Sequence, residues 1–464
     1  MVSDAARDAG GRRMLAGLLA ASHLMPLESL PAKTTEHARA AGFSQVLIYL
    51  GDLQRRVLRL LTGKGLDAGQ EPGGEDAELT VEGTPAGRAY QLGQIVRGDP
   101  EGPGRGRRTA GQWWVPLLNG AERLGVLGVT TEMDDERAME DMSRLASLVA
   151  LIVHSKHGSS DSFARLTRSG PMNIAAEMQW HLMQPHSYAD GRVVISASME
   201  PAYQTSGDAF DYSTAGDVVH LAIFDAMGHD TAAGLSANLA MATCRNSRRQ
   251  GAGLVEITER IEEALIEQYG RQRYVTGIQA DLDTTTGVLS WVNRGHHPPI
   301  LIRGDHGHTV LSSRPAHPMG TGLGLEATVC QERLEPGDRI VLYTDGITEA
   351  RTAGGTEFGL ERFTRFILRH HADGLPVPET LRRLTRAVLD HHAGRLHDDA
   401  TILLCEWLGP AEATTQAADL VGIHALQPLQ TASGPASDRG HGQERALPSA
   451  SAAEPVPPDS MQWR

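Results

Sequence analysis

Four times between residues 191 and 408 an aspartate stands at the end or the start of an apolar, strand-like run, beside a glycine or another polar turn residue. The first lies in Ser206-Gly207-Asp208-Ala209-Phe210-Asp211, after the strand-like Val193–Ser198. The second is Asp225 in His220–Asp230 (HLAIFDAMGHD), and the third is Asp345 in Ile340–Gly346 (IVLYTDG). The fourth is the pair Asp398-Asp399, just before the apolar Thr401–Leu404. A sheet holds such carboxylates from one side and leaves them open on the other, and glycine beside an acid lets the backbone approach an ion closely. Mg²⁺ and Mn²⁺ take oxygen ligands, mostly carboxylates and waters. Two such ions about 3.5–4 Å apart clamp the attacking and leaving oxygens of a phosphoryl transfer. One Asp-Gly after a strand is ordinarily a turn. Four acidic strand ends in one region, with no cysteine or serine nucleophile motif, point to a metal site.

Competing chemistries find no support in the sequence. None of Cys244, Cys330 and Cys405 has an arginine six positions later, so the thiolate phosphatase loop is missing. The Gly-x-x-x-x-Gly-Lys-Ser/Thr phosphate loop is also missing. Asp281–Gly287 (DLDTTTG) starts like a calcium loop but lacks the glycine at its sixth position and the closing acid, so it reads as a hairpin turn. His229-Asp230 imitates an HD-type phosphohydrolase, against which the strand-rich surroundings argue. With 43 Lys and Arg against 57 Asp and Glu, the net charge of −14 argues against nucleic-acid binding. Three scattered cysteines suit a reducing compartment. The longest mainly apolar run, Leu145–Val153, is too short for a bilayer, which takes roughly 20 residues. Arg12 and Arg13 before Met14–Ala21 imitate a signal peptide, but Leu15, Leu18, Leu19 and Leu24 suit an amphipathic helix. The expectation is a cytoplasmic protein with neither membrane nor nucleic acid as partner.

Around the acidic region the chain divides into further segments. Residues 1–156 mix both periodicities: Gln45–Leu50 and Val57–Leu61 read as paired strands, and Trp113–Leu118 and Leu124–Thr130 as another pair turned at Asn119-Gly120. Ala68–Asp76 and Gly98–Arg107 read as loops, and Met139–His154 as an exit helix. Residues 157–190 form a connector with helical spacing over Ile174–Met183, and residues 409–464 have the composition of a disordered tail. The phrase Trp113–Val129 (WWVPLLNGAERLGVLGV), with this element order, resembles a GAF sensor domain; a PAS-like fold is the alternative.

The blocks of the acidic region appear in a telling order. They are Gly207–Asp211, Asp225–His229, Thr276-Gly277 with Asn293–Pro299, Tyr343–Ala350 and Asp398–Thr401, with Met178–Pro185 (MQWHLMQP) as a lead-in. Together they resemble PPM-type phosphatases of the bacterial SpoIIE/RsbU group. The resemblance implies an α+β fold in which two antiparallel sheets are sandwiched between helices, at residues 191–408. It also implies two Mn²⁺ or Mg²⁺ ions and phosphoserine or phosphothreonine protein substrates of the anti-sigma-factor antagonist type. Carried over, Asp225 bridges the ions, the Ala226 carbonyl binds one, Asp345 and Asp398 complete one, and Asp208 supplies a further carboxylate. Asp211, His229, Asp399 and His296 are expected around that shell, and His296 and His297 are the candidate proton donors. Three departures stand out: Ser206 and Asp230 replace glycines, and Arg294 replaces alanine. Asp230 is expected to cap the helix that follows, the alternative being a further carboxylate near the ions, and Arg294 to lie exposed in a loop, the alternative being contact with substrate phosphate. A catalytically silent regulator and a phosphatase of small esters are the rival functions. The amphipathic helices raise dimerisation as a hypothesis, and the sensor's ligand stays unnamed.

Overall fold

The computed structural model describes residues 4–64, 77–98, 111–304, 307–314, 316–350, 355, 357–372, 375–392, 396 and 398–410. Most of the two expected N-terminal loops and nearly all of the expected tail lie outside the described residues. No described helix is long and apolar enough to cross a membrane.

The N-terminal part starts with α1 (Asp4–Ser22) and α2 (Leu30–Ala38). Strands β1 (Gln45–Gly51), β2 (Val57–Leu60), β3 (Glu78–Thr80), β4 (Val96–Arg97), β5 (Gly111–Asn119) and β6 (Glu122–Thr131) follow, with α3 (Pro85–Leu92) before β4. They form one antiparallel sheet in the order β3-β2-β1-β6-β5-β4. Period-2 alternation decides its faces. Val46, Ile48 and Leu50 of β1 and Trp113, Val115 and Leu117 of β5 turn toward α1, α2 and α4 (Glu136–Lys156). Tyr49, Trp114 and Val126 turn the other way, onto α3. Helix α4 buries Met142, Leu145, Ala146, Val149 and Val153 at three- and four-residue spacing, and Asp135 caps its start by accepting the Ala138 N–H at 2.9 Å. Both expected strand pairs and the exit helix are therefore present.

After α4 come α5 (Asp161–Thr167), α6 (Ile174–Leu182) and β7 (Ser187–Ala189). The sequence reading left β7 in the connector; it pairs with β8 (Val193–Glu200) and closes the edge of a sheet. That sheet runs β14-β13-β16-β17-β8-β7, using β13 (Ile300–Ile302), β14 (His308–Val310), β16 (Arg339–Tyr343) and β17 (Ala400–Trp407). The facing sheet runs β15-β12-β11-β10-β9, using β9 (Asp208–Ala215), β10 (Val218–Ala226), β11 (Val275–Asp283), β12 (Val288–Arg294) and β15 (Cys330–Arg333). Both are antiparallel throughout. Ile195, Phe210, Leu221, Ile278, Trp291, Leu342 and Leu403 meet between them. On one outer face α7 (Thr231–Arg249) and α8 (Leu254–Tyr269) pack on Ala222, Phe224 and Ala226. On the other, α10 (Leu360–Ala372) and α11 (Val377–His391) pack on Val341, Ile402 and Leu404. The short α9 (Asp345–Thr348) follows β16. All eight positions of β17 are buried, as a strand with helices on one face and a sheet on the other requires. The two-sheet, four-layer arrangement expected from the resemblance is the observed one.

Of two expectations about short segments, one holds and one does not. Asp283 accepts the N–H groups of Thr285 and Thr286, so the DLDTTTG segment is the expected hairpin turn. Arg294, expected in an exposed loop, is only 2% exposed. It sits at the last position of β12, where its guanidinium pairs with Glu262 of α8 and donates to Thr258 Oγ1 at 3.1 Å and to the His317 carbonyl at 3.0 Å. The register places Arg294 opposite Gly277, so its side chain leaves the sheet on the helix side and ties α8 down. Replacing Arg294 by leucine strands the Glu262 carboxylate, and about 3–5 kcal/mol of stability should be lost in urea denaturation. An exposed loop arginine would change it by less than about 0.5 kcal/mol.

Candidate active site

Antiparallel pairing puts Asp208, the first residue of β9, directly opposite Asp225 near the end of β10. Asp225 in turn pairs with Thr276 of β11. Along β9, Asp208 shares the face of Phe210 and Tyr212, which fill the space between the sheets, so both aspartates point toward the opposing sheet. Thr344, at the end of β16 in that sheet, donates its hydroxyl to Asp208 Oδ2 at 2.7 Å and accepts the Thr401 N–H at 2.9 Å. The next residue, Asp345, opens α9. Asp398 and Asp399 precede β17 in the same sheet, and Asp399 accepts the Gly207 N–H. Four strand ends from two sheets thus bring their carboxylates to one place.

The backbone between them is packed closely. The Ala226 N–H donates to the Gly207 carbonyl at 2.9 Å. A Cβ on Gly207 would come within 2.7 Å of the Ala226 carbonyl oxygen and 2.5 Å of the Gly228 one. A Cβ on Gly346 would meet the Asp399 carbonyl at 1.9 Å. No side chain fits at either place, which is the physical content of Gly-Asp and Asp-Gly at these strand ends.

Charge is concentrated here. Burial and the neighbouring Asp225 and Asp399 hold the Asp208 carboxyl well above the ordinary carboxylate range. Burial, with Asp345, Asp398 and Asp399 around it, lifts Asp225 to about 7. Burial and Asp398 lift Asp399 to about 6, against the opposing hydrogen bond from Gly207. Asp345 is raised by burial and by Asp398. The donors are all oxygens and bear on one another through space, the chemistry that hard divalent cations take. Among the described residues, however, no three His, Cys, Asp or Glu side chains stand near enough to hold one ion together. The fit to a metal lies in the donor type, the burial and the shared charge.

The residues expected around the aspartates separate. Asp211 does not belong with them. Three positions along β9 from Asp208, it faces the helix layer, where Arg245 and Arg248 of α7 take both its oxygens at 2.8–3.1 Å. It is fully buried and anchors α7 to the sheet. His296 is a tie between sheets rather than a proton donor. Its Nε2–H donates to the Tyr343 carbonyl at 3.0 Å, which leaves Nδ1 to accept the Thr276 hydroxyl at 2.9 Å. Burial pushes it down to about 3, so it stays neutral. His297 is half-buried, its ring against that of Tyr343 at 5.7 Å, and it acts on Asp345 through space. His229 is exposed on the turn and biases Asp399 downward. Asp230 caps α7 as expected, accepting the Ala233 N–H at 2.8 Å, and also pairs with Arg273 at 2.9 Å.

Two residues with no assigned role in the sequence reading support the centre. Thr344 is the sheet-to-sheet link already described. Gln179 of α6 is fully buried and donates to the Ser206 and Asp208 carbonyls, so the helix before the sandwich grips the segment that presents Asp208. The lead-in Met178–Pro185 carried a signal for Gln179; its role needed the fold.

Residues 215–408 match the family model described as Stage II sporulation protein E (SpoIIE). The chain is similar to phosphoserine phosphatase RsbU of Bacillus subtilis (strain 168), at 22% identity over 235 residues, 50% of this chain and 69% of RsbU. It is similar to phosphoserine phosphatase RsbP of the same organism at 24% over 191 residues, 40% of this chain and 47% of RsbP. Among solved structures, the RsbU and RsbW domains of a Mycobacterium tuberculosis protein match with 24% identity, 48% and 65% coverage and a TM-score of 0.42. The PP2C phosphatase domain of SpoIIE from Bacillus subtilis, solved with a fragment of its regulatory domain, matches with 21% identity, 46% and 63% coverage and a TM-score of 0.40.

Two measurements test the residues reassigned above. Asp211→Asn should cost about 3 kcal/mol in urea unfolding by leaving two buried guanidinium groups short of a carboxylate. For His296 the folded value lies below the ordinary 6.5, so under pH 6.5 the unfolded chain binds the extra proton. Its contribution is full above pH 6.5 and is lost as pH falls toward 3. His296→Gln should therefore flatten the stability-against-pH curve by about 1.4 kcal/mol per pH unit between roughly pH 6 and 4.

Proposed function

We propose that residues 215–408, which match the Stage II sporulation protein E (SpoIIE) family model, are the core of a metal-dependent serine/threonine phosphatase governed by the N-terminal domain. The observation that carries the reading is the convergence of Asp208, Asp225, Asp345, Asp398 and Asp399 from strand ends of two sheets, with Asp208, Asp225, Asp345 and Asp399 raised first by burial and then by neighbouring carboxylates. Asp208, Asp225, Asp345 and Asp398, with the Ala226 carbonyl, are the ligands we assign to two Mn²⁺ or Mg²⁺ ions. When bound, such ions activate a water for attack on phosphorus and neutralise charge that builds on the phosphoryl oxygens. The chain's own part is positional. Thr344 fixes Asp208 by a hydrogen bond, Asp399 fixes the Gly207 turn, and the Asp208–Asp225 register sets the spacing across the pair. His296 has both ring nitrogens occupied, so the imidazole assigned to protonate the leaving alkoxide is His297.

The rim supports a protein substrate over a small ester. Met227, Tyr274, Leu323 and Leu325 are 38–65% exposed. The Met227 N–H donates to the Tyr274 carbonyl at 3.1 Å, which places Met227 and Tyr274 next to Ala226. Exposed apolar surface beside a reaction centre suits a macromolecular partner. The substrate class we assign is a phosphorylated anti-sigma-factor antagonist in the cytoplasm. The N-terminal part, residues 1–156, is assigned as a GAF-like sensor and residues 157–190 as its connector. Its signal passes through α6, which grips the Asp208 segment through Gln179 and packs on α7. Leu19 and Leu151, exposed on α1 and α4, are where a second copy would dock.

Hydrolysis of p-nitrophenyl phosphate and of a phosphoserine peptide should require Mn²⁺ or Mg²⁺ and stop on chelation. Asp225→Asn and Asp345→Asn should each lower it by on the order of a hundredfold or more. Metal-independent turnover, or wild-type rates in both variants, would refute the assignment.

A further inference from the structure

A cavity of about 560 Å³ lies at the seam between the N-terminal part and the sandwich. Its volume is in the range of small-molecule sites, about 300–1,000 Å³. The β1–β2 turn, the start of β6, the end of α4, α5, α6 and the start of α11 all contribute to its wall. None of the aspartates of the reaction centre reaches it.

Two polar groups on the wall are left without partners. Arg55 sits in the β1–β2 turn at φ +56°, in the left-handed region that a residue with a side chain seldom enters. Its N–H closes the turn onto the Asp52 carbonyl at 2.9 Å. Its half-buried guanidinium has no hydrogen bond or ion pair among the described residues. It lies near enough to Tyr90, Glu122 and His186 to act on each through space. The second group is His186. Its Nδ1–H donates to the Ala197 carbonyl at 3.2 Å, so Nε2 carries a bare lone pair, and that atom is buried and unpartnered.

The rest of the wall combines apolar rings with further charged groups, among them Asp52, Glu122, Arg123 and Asp161. The Trp180 ring stacks on His186 at 5.1 Å, and Phe163 lines the same space. Glu379 is held by Arg382 and Arg383, and Glu177 by Arg168, so neither cancels Arg55. A guanidinium without an ion pair among the described residues, an unmet acceptor and flat aromatic surface together describe a site for a molecule with an acid group, a hydrogen-bond donor and a planar apolar body.

We infer that this seam is a binding site for an amphipathic organic anion, its acid group on the Arg55 guanidinium and its flat body against Trp180 and Phe163. The ligand touches the N-terminal domain through Arg55 and α6 through Trp180, one residue from the Gln179 that grips the Asp208 segment. As the sensor's ligand it rests on the proposed function; as a binding site it stands apart from it.

The test titrates the full chain with anilinonaphthalene sulfonate, a planar aromatic anion whose fluorescence rises in an apolar site. Saturable binding at one dye per chain is expected. Arg55→Gly should weaken it by about tenfold or more, and Arg55→Lys, which keeps the charge, by less. Glycine adopts the +56° conformation at no steric cost, so this variant should melt at or above the wild-type temperature. Equal dye affinity in wild type and the folded Arg55→Gly variant, or no saturable binding by wild type, overturns the inference. Hydrolysis of p-nitrophenyl phosphate by the same samples reports on the reaction separately, so failure of one reading is distinct from failure of the other.

Discussion

Asp208 and Asp225 face each other across β9 and β10, and like charges set opposite one another in an antiparallel pair repel. Asp345, Asp398 and Asp399 add to that repulsion from the other sheet. A fold keeps such a cluster only by holding each member from behind. Thr344 holds Asp208, the Gly207 N–H holds Asp399, and Gln179 holds the backbone on which Asp208 stands. The interior of the sandwich, the two sheets and the closely packed glycines are the means of keeping these charges together.

The supports reach the centre from outside as well as from within. Asp211 and its two arginines fasten α7 to one sheet, while Arg294 and Glu262 fasten α8 to the same sheet. In each pair one partner is buried and the other largely so, and losing one partner there costs more than at a surface. On the opposite side Arg382 of α11 pairs with Glu82 of the N-terminal part at 2.6 Å, and Gln54 bonds Glu200 at the end of β8. Ala121, at the tip of the β5–β6 hairpin, packs into the apolar cluster around α10 and α11. The N-terminal part thus touches both the helix layer and, through α6, the segment carrying Asp208.

Much of this was legible in the residues. The alternation in Gln45–Leu50 and Trp113–Leu118 gave strands, and Asn119-Gly120 gave the hairpin. Asp230 before an apolar helical run gave the cap. Arg294 was misjudged because a loop motif, Asn-Arg-Gly-His, overlaps the last position of a strand whose side chain points at a helix. Asp211 was placed too near the centre because it lies three residues from Asp208; in a strand that odd spacing sends it to the other face. His296 looked available until both ring nitrogens proved to be bonded.

The sequence by itself determined the elements, the order of the acidic blocks and the chemistry they can perform. Those depend on period, turn residues and residue type, which act between neighbours in the chain. Tertiary structure alone decided which acids share one space, which histidine keeps a free nitrogen, and that a cavity opens where α6 meets the β1–β2 turn. Each of these is a contact between segments tens to hundreds of residues apart: Thr344 to Asp208, His296 to Tyr343, Arg382 to Glu82. Such contacts follow from how two sheets and their helices stack, and no local pattern encodes the stacking.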